Sequence, residues 1–239
     1  MRVLITNDDG IAASQLIPLV KWVKTWTDDV TVFAPKYEQS GKSHSFEIHK
    51  PFEARRVDLL PGITALSVDS TPADCVRLAV LGMGLTFDLV ISGVNRGLNM
   101  GSDIMYSGTV AAISEAVNLG MQGIALSTTP ENYDHATDQL DRIFQYIQDR
   151  KLLSIHQAYN INIPANAKDF RITRQGGPYF SDDFPFIGND LYRPTGKPIW
   201  EDSSDDTLDT AATLHGYISI LPLTINRTDW AVYNQLNHL

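Results

Sequence analysis

The sequence predicts an α/β fold built on a parallel sheet, and three observations carry this expectation. Val3-Leu4-Ile5 is an uninterrupted apolar run, as suits a strand covered on both faces. Strand, helix and strand patterns follow one another within the first 35 residues, the signature of a right-handed parallel crossover. Strand, helix and strand then recur at 87–91, 110–117 and 123–127. The 239 residues, 43% of them hydrophobic, suit one large domain or one domain with an extension.

The first strand stops at Asn7-Asp8-Asp9-Gly10. Leu16, Leu19, Val20 and Val23 then recur at helical spacing, which predicts a helix over 14–26. Val30-Thr31-Val32-Phe33-Ala34 is the second strand, and a polar loop over 36–45 follows it. Residues 46–51 alternate like a strand, and 51–69 read as short β segments ending at Val68. Thr71-Pro72-Ala73-Asp74 opens a helix, with Thr71 as N-cap and Pro72 at the first helical position. Cys75 reads as a small buried residue on that helix. A helix over 136–150, strands at 159–164, 170–174 and 216–223, and a terminal helix over 230–239 complete the chain. Residues 175–208 lose periodicity and carry prolines, glycines, aromatics and acidic residues. They read as an extended loop or hairpin arm that packs against something else, such as a second subunit.

The formal net charge of -9 argues against a broad footprint on polymeric nucleic acid. It leaves room for a small anionic substrate, because a bound metal reverses the local field. One cysteine permits neither an intrachain disulfide nor a cysteine-rich zinc site. No apolar run is long enough to span a bilayer, and no basic, apolar leader precedes the first strand. A cytoplasmic protein is the expectation.

Asp8 and Asp9 sit where the first strand should end, and ligands of open α/β sheets bind at such ends. Adjacent carboxylates repel, and a divalent cation is the simplest compensator. Both reach one ion only if the backbone bends, which Gly10 permits. A solvated Asn-Asp-Asp-Gly turn is the alternative for this stretch. The loop after the second strand lies at the same edge, with Ser40 its best ligand candidate and His44 nearby. Gly41-Lys42-Ser43 invites a P-loop reading, but Lys36 stands where that motif needs glycine. The third loop at this edge, 92–101, has glycines at spacings of four and offers the neutral amide oxygen of Asn95. Ser107-Gly108-Thr109 starts the helix over 110–117, an arrangement that suits either simple capping or an anion.

Together these motifs resemble the SurE family, the stationary-phase survival proteins that act as metal-dependent nucleotidases. The resemblance rests on Thr6-Asn7-Asp8-Asp9-Gly10, Ser40-Gly41, Thr71-Pro72-Ala73-Asp74-Cys75-Val76, and Ser92-Gly93-Val94-Asn95 with Gly97 and Asn99. It continues through Tyr106-Ser107-Gly108-Thr109, Asn160-Ile161-Asn162-Ile163-Pro164, and Gly216-Tyr217-Ile218-Ser219. It implies a Rossmann-like three-layer α/β/α sandwich, with a C-terminal β-rich extension used in dimerisation. The single domain over 1–239 then divides into a core at 1–174, an arm at 175–208, and a C-terminal strand and helix at 209–239. It implies one divalent cation, Mg or Mn, held by residues matching Asp8, Asp9, Ser40 and Asn95. It also implies hydrolysis of nucleoside 5'- and 3'-monophosphates, with short polyphosphate cleaved by some members.

On this reading Asp8, Asp9 and Asn95 are catalytic. Ser107, Gly108 and Thr109 hold phosphate oxygens, and Gly41 and Asn99 help through amide groups. The nucleophile is water, or Asp8 or Asp9 itself. A homodimer or a dimer of dimers is expected. A non-catalytic nucleotide-binding or regulatory module on the same fold is the alternative. Among departures from the family pattern, Lys36 replaces a frequent acidic residue and, with Lys42, is expected to add positive charge near the site.

Overall fold

Side-chain alternation in the first strand sets the two faces of the sheet. In the computed structural model, which describes residues 1–237, β1 (Val3–Thr6) is buried throughout. Val3 and Ile5 pack into one apolar cluster with Leu19, Val20 and Val23. Leu4 packs into a second, with Phe33, Cys75, Val76 and Ala112. α1 (Leu16–Val23) covers the first face with its apolar stripe. It is shorter than the expected helix over 14–26. The Thr25 hydroxyl donates to Trp22 O at 2.7 Å as the last turn loosens, a local bond that competes with helix continuation.

β2 (Val30–Pro35) lies parallel to β1, and β3 (Ala54–Arg56) and β4 (Thr64–Val68) form one edge. α2 (Pro72–Arg77) starts as the sequence predicts: Thr71 Oγ1 accepts from Asp74 N at 3.1 Å, and Pro72 is the first helical residue. The chain continues through β5 (Leu89–Arg96), α3 (Gly108–Asn118), β6 (Gln122–Thr128), α4 (Leu140–Asp149) and α5 (Leu152–Ile155). β7 (Ala158–Ile163) and β8 (Phe170–Ile172) follow. Next come β9 (Phe180–Asp183), β10 (Phe186–Gly188), β11 (Leu191–Tyr192) and β12 (Thr195–Pro198). α6 (Asp209–Leu214), β13 (Ile218–Pro222) and α7 (Trp230–Leu236) end the described chain.

The main sheet has nine strands in the order β3-β4-β2-β1-β5-β6-β7-β13-β8. Neighbours from β4 to β7 pair in parallel, while β3 and β13 enter antiparallel. α1 and α4 share the cluster on one face, and α2 and α3 the cluster on the other. This is the expected three-layer α/β/α sandwich. β9 pairs with β12, and β10 with β11, so residues 180–198 form a long two-tiered hairpin outside the sheet. Its aromatic residues Phe184, Phe186 and Tyr192 are exposed, and α7 buries none of its residues.

Two expectations need correction. Residues 46–51 form no strand. Glu47 Oε1 instead accepts from the backbone of His49 and Lys50, and the Phe46 ring receives the Arg77 guanidinium at 4.6 Å. These local bonds replace ladder bonds. α4 begins at Leu140 rather than 136, because Pro130–Gln139 winds as a tighter 3-10 segment from Pro130 onward. The expected terminal helix over 230–239 is seen to Leu236, and its last two positions lie outside the described residues.

Candidate active site

Four loops meet at the carboxyl ends of β1, β2, β5 and the start of α3. The bend at the first is built from Asn7. Its Oδ1 accepts from Gly10 N at 3.0 Å and its Nδ2 donates to Gly10 O at 2.9 Å. Gly10 takes φ +96°, a region glycine enters without strain. The turn therefore starts one residue before the aspartates. Gln39 N donates to Asp8 O at 2.7 Å, which brings the Ser40 loop against it.

Asp8 is buried and faces the N-terminus of α3. Thr109 Oγ1 donates to Asp8 Oδ1 at 2.5 Å, and Thr109 N approaches Oδ2 at 3.3 Å. A Cβ at Gly108 would lie 3.0 Å from Asp8 Cβ and 3.2 Å from Pro72 Cγ, so glycine is what lets the helix come this close. Asp9 is half-buried. Its Oδ2 accepts from Arg96 N at 3.1 Å and lies 3.4 Å from the Tyr133 hydroxyl. Burial pushes the Asp8 carboxyl up, against the pull of the Thr109 bonds. Burial and then the Asp8 charge push Asp9 up to about 6.

Among the described residues neither carboxylate is ion-paired with a Lys, Arg or His side chain. Glu38 adds further negative charge nearby. Lys36 does not compensate them: it lies 3.6 Å from Asp69 and 3.8 Å from Glu53. The sequence-based expectation of positive charge from Lys36 is thus corrected. Ser40 Oγ donates to Glu38 Oε1 at 2.6 Å, leaving its lone pairs available. Asn95 Nδ2 donates to Gly97 O at 2.8 Å, which leaves its Oδ1 as the free end of the amide. Two uncompensated carboxylates, a hydroxyl and an amide oxygen form a donor set that fits a hard divalent cation. No group of three or more His, Cys, Asp or Glu suited to a metal occurs among the described residues.

The phosphate candidates are placed unequally. Ser107 is the N-cap of α3, with Oγ accepting from Val110 N at 3.1 Å. Thr109's hydroxyl is committed to Asp8, so its contribution is to hold that carboxylate. Gly41 sits on the exposed rim at φ +69° with nothing crowding it. Asn99 turns toward β6 and β7: its Nδ2 donates to Ser127 Oγ, and its O accepts from Asn160 and Asn162 Nδ2. His44 Nε2 lies 2.8 Å from Glu115 Oε2, and Arg77 shares that glutamate. It therefore braces the Ser40 loop against α3.

Sequence reasoning missed Tyr133, Glu38 and the pair Asn160 and Asn162 as parts of this site. The last pair left a signal. Two asparagines two apart share one face of a strand whose intervening residues are apolar. Both are fully buried, and each donates its Nδ2 to Asn99 O.

Comparison with known proteins shows the family of the chain. A family model described as "Survival protein SurE" matches residues 3–182. A protein of Natranaerobius thermophilus named 5'-nucleotidase SurE is 37% identical, covering 100% of this chain and 98% of its own. One of Thermoanaerobacter sp. with the same name is 33% identical, covering 99% of this chain and 97% of its own. The crystal structure of SurE protein from Aquifex aeolicus superposes with a TM-score of 0.80 at 28% identity, covering 100% of this chain and 99% of that one. With a fold, a loop cluster and full-length relatives in agreement, the chain belongs to the SurE family.

Proposed function

We propose that the protein is a metal-dependent phosphomonoesterase that hydrolyses nucleoside 5'-monophosphates, and 3'-monophosphates, to nucleoside and phosphate. Short polyphosphate is a further substrate on this reading. The observation that carries it is the pair Asp8 and Asp9, buried and half-buried with no cationic side chain paired to either among the described residues, with Asp8 facing the start of α3 and Asp9 the backbone of Arg96. The full-length relatives named 5'-nucleotidase support the substrate class.

Asp8, Asp9, Ser40 Oγ and Asn95 Oδ1 would hold one divalent cation, Mg or Mn. When bound, it neutralises phosphate charge and polarises the ester as the bond breaks. Thr109 fixes the Asp8 carboxylate, and Arg96 N fixes that of Asp9. The Ser107 amide is taken by Ile104 O and that of Val110 by Ser107 Oγ, so Gly108 N and the Ser107 hydroxyl are the donors that the start of α3 would present to phosphate oxygens. A cleft of about 280 Å³ lined by His44, Ser107, Ser114, Gln175 and Arg227 opens beside Ser107 and gives room for a nucleoside. Water attacks phosphorus, the ester oxygen leaves with the electron pair, and the protons exchange with solvent. Trapping a phosphorylated aspartate would overturn that route in favour of Asp8 or Asp9.

The exposed apolar residues of the arm and of α7 support a homodimer or a dimer of dimers. No helix among the described residues is long and apolar enough to cross a membrane, in keeping with a cytoplasmic location. The test is phosphate release from a panel of nucleoside monophosphates with Mn, with Mg and with chelator. Release that depends on metal is expected. No release with any metal from folded protein would make the site a nucleotide-binding module instead.

A further inference from the structure

Asp209, the first residue of α6, is completely buried, and among the described residues it has no ion-pair partner. A buried carboxylate is retained where hydrogen bonds replace its water. Here the donors are three backbone amides. Asp209 Oδ1 accepts from Thr210 N at 2.8 Å and from Gly176 N at 2.7 Å, and Oδ2 from Gly101 N at 2.8 Å. The first is local. The other two come from separate loops, 33 and 108 residues away in sequence.

Those loops are the root of the hairpin arm and the segment from Asn99 to the start of α3. More bonds run beside the carboxylate. Gln175 Nε2 donates to Gly101 O at 3.1 Å, and Ser102 N to Gly177 O at 3.3 Å. Asp103 Oδ2 accepts from Tyr179 N and Phe180 N, each at 2.9 Å. The packing leaves no slack: a Cβ on Gly101 would fall 1.9 Å from Gly177 O, and one on Gly176 2.4 Å from Thr210 Oγ1. On its other side the same segment is pinned through Asn99 to Asn160, Asn162 and Ser127.

We propose that Asp209 is a positioning residue that locks the segment between Asn99 and Ser107 onto the root of the arm, so that phosphate affinity depends on how the arm is seated. The inference rests on the phosphomonoesterase reading for its kinetic consequence. Groups that hold phosphate in the bound substrate and in the transition state alike act mainly on KM. Of the cation ligands, Asp8, Asp9 and Ser40 sit on other loops, and Asn95, which precedes the clamped segment on the loop over 92–101, pairs with Ser127 of β6 rather than with Asp209.

The test compares the full-length protein with Asp209→Asn and with the milder Gln175→Ala, using hydrogen exchange and steady-state kinetics with Mn. In Asp209→Asn, exchange is expected to rise in peptides spanning 97–107 and 174–178 but not in those spanning 7–10 or 36–45. KM for the monophosphate, and the inhibition constant of inorganic phosphate, should rise about tenfold with kcat nearly unchanged. Gln175→Ala should raise exchange in the same peptides by less; because Gln175 also lines the cleft beside Ser107, exchange and not KM decides the matter if Asp209→Asn does not fold. Unchanged exchange at 97–107, or exchange raised throughout the chain, overturns the proposal. So does a fall in kcat at constant KM. Absence of hydrolysis by the unaltered protein would sink the phosphomonoesterase reading instead, and the exchange data would still decide whether Asp209 clamps the two loops.

Discussion

The sheet edge around Asp8 and the outer region made by the hairpin arm and α7 are unfinished in opposite ways. At the sheet edge both carboxylates are held by hydrogen bonds within the chain, yet among the described residues no cationic side chain pairs with either. In the outer region the backbone is paired or helical, yet Phe186 is 60% exposed, Tyr192 63% and Trp230 55%. The first lacks positive charge and the second lacks apolar cover. Buried charge calls for an ion of defined chemistry, whereas apolar surface calls only for area. One region is therefore expected to be completed by a cation and the other by a second copy of the chain.

The largest expected effect comes from removing charge at the edge. Asp8→Asn should lower kcat/KM by roughly 10²–10³-fold, the scale of losing one preorganised electrostatic group. The variant should stay folded and melt no lower than the unaltered protein in chelator, because a buried, uncompensated charge has gone. Full metal-dependent activity in Asp8→Asn would remove Asp8 from the mechanism. The matching change in the outer region is Phe186→Ser with Tyr192→Ser, a cross-strand pair whose rings lie 5.4 Å apart. Light scattering should show a smaller particle with an unchanged far-ultraviolet spectrum. A protein that is monomeric before any substitution would refute the second-copy reading of these residues.

The contrast also marks what the sequence made legible. Apolar strands ending at polar loops predicted the parallel sheet, and their common edge predicted which loops meet. The caps Thr71 and Ser107 were readable because a hydroxyl before a helix has one local partner, an amide three residues on. Partners distant in sequence were not readable. Nothing local says that the Thr109 hydroxyl turns to Asp8, that His44 braces against Glu115, or that Lys36 faces Glu53 and Asp69. The alternation at 46–51 misled because side-chain bonds from Glu47 satisfied the backbone without a neighbouring strand.

Protonation offers a finer separation of the two regions. In the metal-free protein Asp9 moves from an ordinary value of 3.8 up to about 6. The folded state then holds this proton more tightly than the unfolded state does. The group's stabilising contribution is present below about pH 4 and is lost as pH rises toward 6. Asp8, also pushed up, acts in the same direction. The rise in melting temperature on adding Mn should therefore be small at pH 5 and larger at pH 7.5. Asp9→Asn should reduce that rise, leaving a smaller shift from the remaining ligands, while raising the melting temperature in chelator at pH 7.5. An Mn effect independent of pH would show that the ion does not compensate these carboxylates.

The smallest expected effect is at Tyr133, and it tests how finely the edge is tuned. Its hydroxyl lies 3.4 Å from Asp9 Oδ2, and burial followed by the Asp9 charge pushes its pKa up to about 12, so at neutral pH it remains a donor. Partners of metal-binding carboxylates typically matter about 10–100-fold in affinity, and so long a bond belongs at the low end. Tyr133→Phe should weaken Mn affinity by about tenfold or less. The ring has a second neighbour, since Arg96 Cζ lies 6.0 Å from its centroid, so packing offers a competing explanation. The two separate in a double-mutant cycle read by Mn-induced thermal shift. If the hydroxyl acts through Asp9, Tyr133→Phe should have no further effect on Mn affinity in an Asp9→Asn background. An equal loss in both backgrounds would assign the effect to the ring and its cation rather than to the hydrogen bond.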